Sequence, residues 1–360
     1  MEVKELKTLV KLVKGKKPKS LSETKTKTHS EPYLLAKVIR GSEKPKFGKE
    51  DEMVVVSSSD LVIISDGDAG EVFQGLSGGL ASTMSKIEPL ENINLKYLKY
   101  FLISNRKLFS DTRTGAAIPH LNKDVFFNLQ IPVPSLQEQK KIAERLDKVF
   151  GEVGNMLKNL KNKNAQSLDL YESILKNTFL NINSDYEPIE NFCNEIFAGG
   201  DRPKEFSKTP DETFKYKIFS NGITNNGLYG FSSEYRIKDP ALTISARGTI
   251  GHLEIRKEPF TPIIRLITIV PKDFLHLDFL YHFLKYSLNL KTGSVIPQLT
   301  VPMIKKIQIP KLSMHNQKKI SELLDSVLLK SIDLRMITDK QENLFDDFKK
   351  SILDKEFSYE

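Results

Sequence analysis

The feature that most constrains this chain is an internal repeat that runs without a gap. Gly115, Ile118, Pro119 and Leu121 return as Gly293, Ile296, Pro297 and Leu299, each shifted by 178 positions. Gln130, Ile131 and Pro132 return as Gln308, Ile309 and Pro310. Gln139, Ile142, Leu146, Asp147 and Val149 return as Gln317, Ile320, Leu324, Asp325 and Val327. The register holds to Phe179 and Phe357. A duplication of this kind settles the plan before any residue is given a role: whatever one half folds into, the other folds into as well.

Within each half a polar helix follows a Gly/Pro-marked loop and a short β-like run. Ile142, Leu146, Val149, Val153, Met156 and Leu160 step by four and three, and Leu170 and Ile174 resume the pattern. The second copy steps through Ile320, Leu324, Val327 and Leu334, then Phe345, Phe348 and Ile352. Some 45 residues at 1.5 Å each make a rod of about 65 Å. Two rods with narrow apolar stripes bury them against each other, and a chain that goes out along one and back along the other lays them antiparallel. Gly151 and Gly154 each cost the first rod about 1 kcal/mol against alanine, so a bend or fraying is expected there.

Ahead of each rod lies a β-rich region. Val3, Leu6, Val10 and Val13 recur at helical spacing, which predicts one short amphipathic helix; Ile189, Phe192, Cys193 and Ile196 align with Leu6, Leu9, Val10 and Val13 in the second half. Strands are expected at Met53–Val56 and Leu61–Ile64, with counterparts at Leu242–Ser245 and Ile263–Val270. Leu95, Tyr97, Leu98, Phe101 and Leu102 form a helical core face, echoed by Leu277, Phe279, Leu280, Phe283 and Leu284.

Composition narrows the function classes. The formal charge of +8 favours an anionic partner, nucleic acid first and an acidic protein surface second. Lysines crowd residues 1–30, among them Lys16, Lys17 and Lys19 in a Gly-Lys-Lys-Pro-Lys loop that Gly200-Asp201-Arg202-Pro203-Lys204 matches. That loop reads either as a solvated, dipole-matched helix end or as a phosphate contact. A lone cysteine, Cys193, excludes an internal disulfide framework and fits a reducing, cytoplasmic setting. No apolar run reaches the length of a membrane span. There is no phosphate-binding glycine loop, no Pro-Pro dipeptide of a methyltransferase box and no zinc spacing among the six histidines. Asp66, Asp68 and Glu71 could hold Mg²⁺, but the matching loop carries Arg247 and Thr249, so a solvated acidic turn is favoured. His120 and Gln298 occupy matching places, suited equally to structural hydrogen bonding and to DNA contact.

The run Ile131-Pro132-Val133-Pro134-Ser135-Leu136-Gln137-Glu138-Gln139, continuing through Ile142 to Leu146-Asp147, resembles the conserved helix start in specificity subunits of type I restriction-modification systems. Thr114-Gly115 to Leu121 and Gly293 to Leu299 fit the same family, and Met314, His315 and Asn316 mark the second copy as degenerate. The resemblance implies an α+β chain: two α/β target-recognition domains separated by two long antiparallel helices forming a coiled coil, with an internal pseudo-two-fold repeat. The corresponding division is 1–135, 136–182, 183–313 and 314–360. It further implies that each recognition domain reads half of a split double-stranded DNA site and that the helices set the gap. Two methyltransferase subunits dock, carrying the S-adenosylmethionine and flipping the adenine, with a restriction-translocase subunit as an optional further partner. The chain itself is then non-catalytic and binds no cofactor or metal. Base or phosphate contact falls to Lys16, Lys17, Lys19, Arg113 and His120 in the first half, and to Arg202, Lys204, Asn221, Asn225, Asn226, Arg247 and Gln298 in the second. The competing readings are a scaffold that brackets partners without reading DNA, and a self-contained DNA enzyme, which the missing motifs disfavour.

Overall fold

The computed structural model describes residues 2–115, 118–289 and 298–358, so the Gly293 to Pro297 part of the repeated motif lies outside the described residues. The chain divides into two compact units, one of residues 1–159 with 339–360 and one of residues 160–338.

In the first unit a four-stranded antiparallel sheet runs in the order Val10–Lys14, Met84–Pro89, Leu61–Ile64, Val72–Gln74. A second sheet places Glu31–Leu34 between Phe47–Gly48 and Gly78–Leu80, parallel to the latter, with Val55–Val56 at the edge. A two-stranded ribbon joins Val3–Glu5 to Gln130–Pro132. The second unit repeats the plan. Its larger sheet runs Cys193–Ala198, Ile267–Pro271, Ala241–Ile244, Leu253–Arg256. Its smaller sheet sets Tyr216–Phe219 between Leu228–Ser232 and a parallel Phe260–Pro262. Its ribbon joins Tyr186–Pro188 to Gln308–Pro310. The repeated Ile-Pro pairs are thus short edge strands, where a proline removes no needed ladder bond.

Three expectations are corrected. The amphipathic helix at the N-terminus is instead strand Val3–Glu5, one helical turn Leu6–Leu9 and strand Val10–Lys14. Leu6, Leu9 and Val10 are buried as expected, but β-branched valines at both ends find strand partners, and pairing overrides the spacing. The same sequence of elements recurs at Tyr186–Pro188, Ile189–Phe192 and Cys193–Ala198. The strand matching is also off by one: Leu61–Ile64 occupies the place of Ala241–Ile244, and Met84–Pro89 that of Ile267–Pro271. Finally, residues 263–266 are not strand. They form a tight turn in which Ile264 and Arg265 take φ of 53° and 60°, with Leu266 N–H donating to Ile263 O at 3.1 Å. Left-handed backbone costs an L-residue roughly 1–2 kcal/mol, and most in a β-branched one such as isoleucine.

The long helices run Leu136–Leu180 and Met314–Phe357, the first unbroken through Gly151 and Gly154. Each starts on a buried glutamine. Gln139 accepts from Asn94 N–H at 2.9 Å and donates to Pro134 O at 2.9 Å. Gln317 accepts from His276 N–H at 2.8 Å and donates to Leu312 O at 2.9 Å. The repeated glutamine is therefore a tether between the helix and the loop that opens the preceding helix, Leu95–Ser104 or Leu277–Asn289.

Within each unit the helical segments pack antiparallel. In the first, Ile142 and Leu146 share a core with Leu353 and Phe357, and Arg145 pairs with Glu356. In the second, Ser167 meets Ser331 at 2.8 Å, and Tyr171, Leu175 and Phe179 share a core with Leu324, flanked by Ile174, Ile320 and Val327. Phe345 is buried, while Val149, Val153, Leu160, Leu334 and Ile352 are half-buried on the same seam. Met156, Leu170 and Phe348, expected in the seam, are 64%, 56% and 43% exposed. In each case the next residue along takes the seam position: Leu157, Tyr171 or Lys349. One residue is a 100° turn, and a tyrosine or a lysine stem fills a place where apolar spacing looks for leucine.

Each unit is completed by a helix end from the other sequence copy. Phe357 packs on Tyr97 and Phe101 at ring distances of 5.3 and 5.5 Å; its repeat-mate Phe179 packs on Phe279 and Phe283 at 5.7 and 5.4 Å. The repeat positions Asp147 and Asp325 follow the same logic. Asp147 accepts from Tyr100 Oη and from Lys96 at 2.6 Å, while Asp325 pairs with the fully buried His282 at 2.8 Å.

Candidate nucleic-acid interface

In the first unit three loops meet at one end of the larger sheet. Where strand Val10–Lys14 stops, Gly15 N–H donates to Met84 O at 2.8 Å and Lys16 N–H to Leu80 O at 3.0 Å. A Cβ on Gly15 would lie 2.2 Å from Ala81 O, so only glycine lets the loop turn here. The Thr114–His120 bridge closes through His120 N–H to Thr114 O at 2.7 Å. It docks on the acidic turn through Gly67 N–H to Pro119 O at 2.7 Å. Asp66 is the hub: one carboxylate oxygen takes His120 Nδ1 at 2.7 Å, the other Lys14 Nζ at 3.1 Å. Burial alone would push this carboxyl up, but the bonds from His120 and Lys14 carry it below the usual carboxylate range. Asp68 and Glu71 are taken by Arg40, the former at 2.8 Å, so all three carboxylates of this turn face cationic or imidazole partners.

The lysines of the first thirty residues sort into two classes. Lys4, Lys7, Lys11 and Lys14 are neutralised by Glu91, Glu5, Glu88 and Asp66. Lys16, Lys17 and Lys19 are exposed, and among the described residues their ammonium groups meet no carboxylate. Charge left unpaired on a pinned loop is available to phosphate. Arg113 folds back onto the end of its own helix, Nε donating to Ser110 O at 2.8 Å.

The second unit builds the same end with different chemistry. Leu121 N–H donates to Ser65 O at 2.8 Å, and the matching Leu299 N–H donates to Ala246 O at 3.1 Å. The residues that follow those acceptors correspond: Asp66 faces His120, and Arg247 faces Gln298, with Arg247 Nη2 3.3 Å from Gln298 Oε1. One contact is thus kept and its charge reversed. Asn221 is consumed structurally; its Oδ1 accepts from Ala246 N–H at 2.8 Å and its amide donates to Ile264 O. Asn225 and Asn226, at φ of 49° and 52°, leave their side chains exposed on a neighbouring loop. Arg202 donates to Tyr229 Oη at 3.1 Å and lies over the Phe206 ring, and Lys208 sits 4.0 Å from the Tyr229 ring. The bond from Arg202 holds the Tyr229 hydroxyl below its ordinary range. Lys204 is exposed beside them. The structure therefore brings Asn221, Arg247 and Gln298 together, sets Arg202 and Lys208 on an aromatic shelf with Lys204 exposed, and adds Ile264 and Arg265. No sequence signal marks those two, because an Ile-Arg pair inside an apolar run reads as strand.

A family model described as the type I restriction modification DNA specificity domain matches the chain twice, over residues 1–164 and 184–342. The chain belongs to this family. Each matched stretch contains one of the β-rich regions just described and the first part of the long helix that follows it. A Mycoplasma pneumoniae protein named as a type I specificity subunit is 31% identical over 265 residues, 72% of this chain and 72% of that one. The MjaVIII specificity subunit of Methanocaldococcus jannaschii is 28% identical over 376 residues, spanning 91% of this chain and 85% of its own length. Among solved structures, a chain from work on complex assembly and conformational transition of the type I restriction-modification system superposes with a TM-score of 0.73. It covers 98% of both chains at 16% identity. The S subunit from M. genitalium gives 0.52 at 19% identity, covering 100% of this chain and 96% of its own. At those identities the likeness speaks for the fold of the specificity domains and not for the bases they read. Among the described residues, no helix is long and apolar enough to cross a membrane, and no cluster of three metal-ligating side chains occurs.

Proposed function

We propose that this chain is the DNA-addressing subunit of a type I restriction-modification enzyme: each specificity domain binds one half of a bipartite double-stranded target. The observation that supports this most directly is the reversed contact. Two copies of one fold carry Asp66–His120 in one loop cluster and Arg247–Gln298 in the matching cluster. A scaffold has no reason to diversify these positions while retaining the buried Gln139 and Gln317 tethers. Two readers of different half-sites do, since acceptor and donor side chains select different base edges. Lys16, Lys17 and Lys19 supply phosphate affinity, and Arg202 and Lys204 supply it in the second domain.

On this reading the chain is non-catalytic. Chemistry resides in methyltransferase subunits, two per chain to match the duplication. They hold S-adenosylmethionine, and a restriction-translocase subunit joins as a further partner; the setting is the cytoplasm. The test is co-expression with a cognate type I methyltransferase subunit, followed by methylome sequencing. Adenine methylation at a single split motif is expected. Well-assembled complex with random methylation would leave only the scaffold reading.

A further inference from the structure

The turn Ile263–Leu266 joins strand Phe260–Pro262 of the smaller sheet to strand Ile267–Pro271 of the larger one in the second unit. Its two central residues take the left-handed conformation of a type I′ turn, whose usual occupants are asparagine and glycine. Here they are isoleucine and arginine. The backbone is clamped from every side. Ile264 N–H donates to Gly200 O at 2.8 Å, Arg265 N–H to Gly199 O at 2.9 Å, and Gly199 N–H to Leu266 O at 2.8 Å. Ile264 O accepts from the Asn221 amide. Gly199 is needed for this approach, because a Cβ there would lie 2.6 Å from Pro262 O. While the backbone is held, the side chains are not: Ile264 is 54% exposed and Arg265 is exposed.

Arg265 differs from the other arginines of its domain. Arg202 is bonded to Tyr229, Arg236 stacks on Phe197, Arg247 meets Gln298, and Arg256 is buried on Phe219. Among the described residues, Arg265 makes no side-chain hydrogen bond, ion pair or ring contact. The Asn221 side chain, bonded both to Ile264 O and to Ala246 N–H, ties this turn to the Arg247 loop. A strained pair whose side chains stay exposed, on a pinned backbone beside polar loops, is held for something outside the chain.

We propose that Ile264 and Arg265 are specificity-determining residues of the second half-site: Arg265 hydrogen-bonds a guanine edge in the major groove, and Ile264 makes the apolar contact with the neighbouring base. This rests on the DNA-addressing function proposed above. A free guanidinium on a rigid turn matches the two acceptors of guanine, and an exposed aliphatic tip suits a thymine methyl. The alternative occupant, a methyltransferase surface, is separated by the test.

The full chain is reconstituted with its methyltransferase subunits, and its methylation motif and DNA affinity are measured for Arg265→Ala, Arg265→Lys and Ile264→Asn. For Arg265→Ala the complex assembles and its salt dependence holds. Discrimination falls roughly 5- to 150-fold at one G·C position of one half-site, the range for a single bidentate pair. Arg265→Lys keeps the charge but not the fork, and relaxes the same position. Ile264→Asn relieves the left-handed strain, so it melts higher while losing preference at the adjacent base. Three results overturn the proposal: an unchanged motif, uniform weakening on all sequences with a salt slope lower by about one, or failure to assemble. If the unaltered complex methylates no defined motif, the fault lies with the DNA-addressing function and not with these residues.

Discussion

His282 shows how one buried side chain can give a unit its pH dependence. It sits between Tyr171 and Asp325 with no exposure, Nδ1 facing Tyr171 Oη at 3.0 Å and Nε2 facing Asp325 at 2.8 Å. Burial holds the imidazole below its ordinary range, against the pull of Asp325 and Asp278 and with a further push from Lys285. The folded state therefore takes up this proton later than the unfolded chain does. Above the unfolded value of about 6.5 the difference costs nothing; as pH falls below it, the unfolded state gains protons first and stability is lost. We expect the melting temperature of the second unit to drop between pH 7.5 and 5.5, and His282→Gln to flatten that drop. Calorimetry showing equal pH slopes in both proteins would remove His282 as the cause. The first copy has Tyr100 in this role, bonded to Asp147, so its unit has no such histidine to titrate. Phe357 makes a second residue-scale case. Buried against Tyr97 and Phe101 near the chain's end, it should cost the first unit about 3–5 kcal/mol on replacement by alanine. A denaturation midpoint within error of the parent would show that the helix end is not part of that core.

At the scale of elements, the long helices test what packing adds to spacing. Leu146→Ala is expected to lose about 2–5 kcal/mol, because Leu146 lies in the core with Leu353 and Phe357. Met156→Ala should stay within about 0.5 kcal/mol, because Met156 faces solvent. Urea titrations of the two variants that gave equal losses would place the seam where the apolar spacing alone puts it. Gly151→Ala and Gly154→Ala should each raise stability by up to about 1 kcal/mol, since an added Cβ meets nothing within 4 Å and the helix continues unbroken through both positions. The sequence made the helices and the short strands before them legible because those elements carry the gap-free repeat from Gln130 and Gln308 onward, but not the ribbons that pair those strands with Val3–Glu5 and Tyr186–Pro188. It misplaced the strands before them. Outside the shared motif the loops differ in length, so Leu61–Ile64 and Ala241–Ile244 lose their common register. It also read Val3 to Val13 as helix, since three- and four-residue spacing is shared by strand–turn–strand when both strands have partners. The candidate interface was legible in its glycine-marked loops and its lysines. It was not legible at Ile264 and Arg265, whose position depends on backbone clamps from Gly199, Gly200 and Asn221 that lie far off in sequence.

For the whole molecule, the duplication predicts that address is modular and that affinity and selectivity separate. Replacing Lys16, Lys17 and Lys19 together by alanine should weaken binding to all sequences alike. Each lost phosphate contact lowers the slope of log K against log salt by about 0.9, so three lower it by up to about 2.7. The methylated motif should remain the same under the proposal that these side chains meet the DNA backbone and not base edges. Exchanging the first specificity domain for that of a relative has the complementary outcome. The first unit keeps its own core only if the incoming domain retains the surfaces that receive Leu146 and Phe357, so the exchange should preserve Tyr97, Phe101 and Gln139 at the junction. Given that, half of the recognised motif should change while the half read beside Arg247 and Gln298 does not. Methylome sequencing decides it: if both halves change together, the two loop clusters are not independent readers, and the opposed charges of Asp66–His120 and Arg247–Gln298 need another explanation.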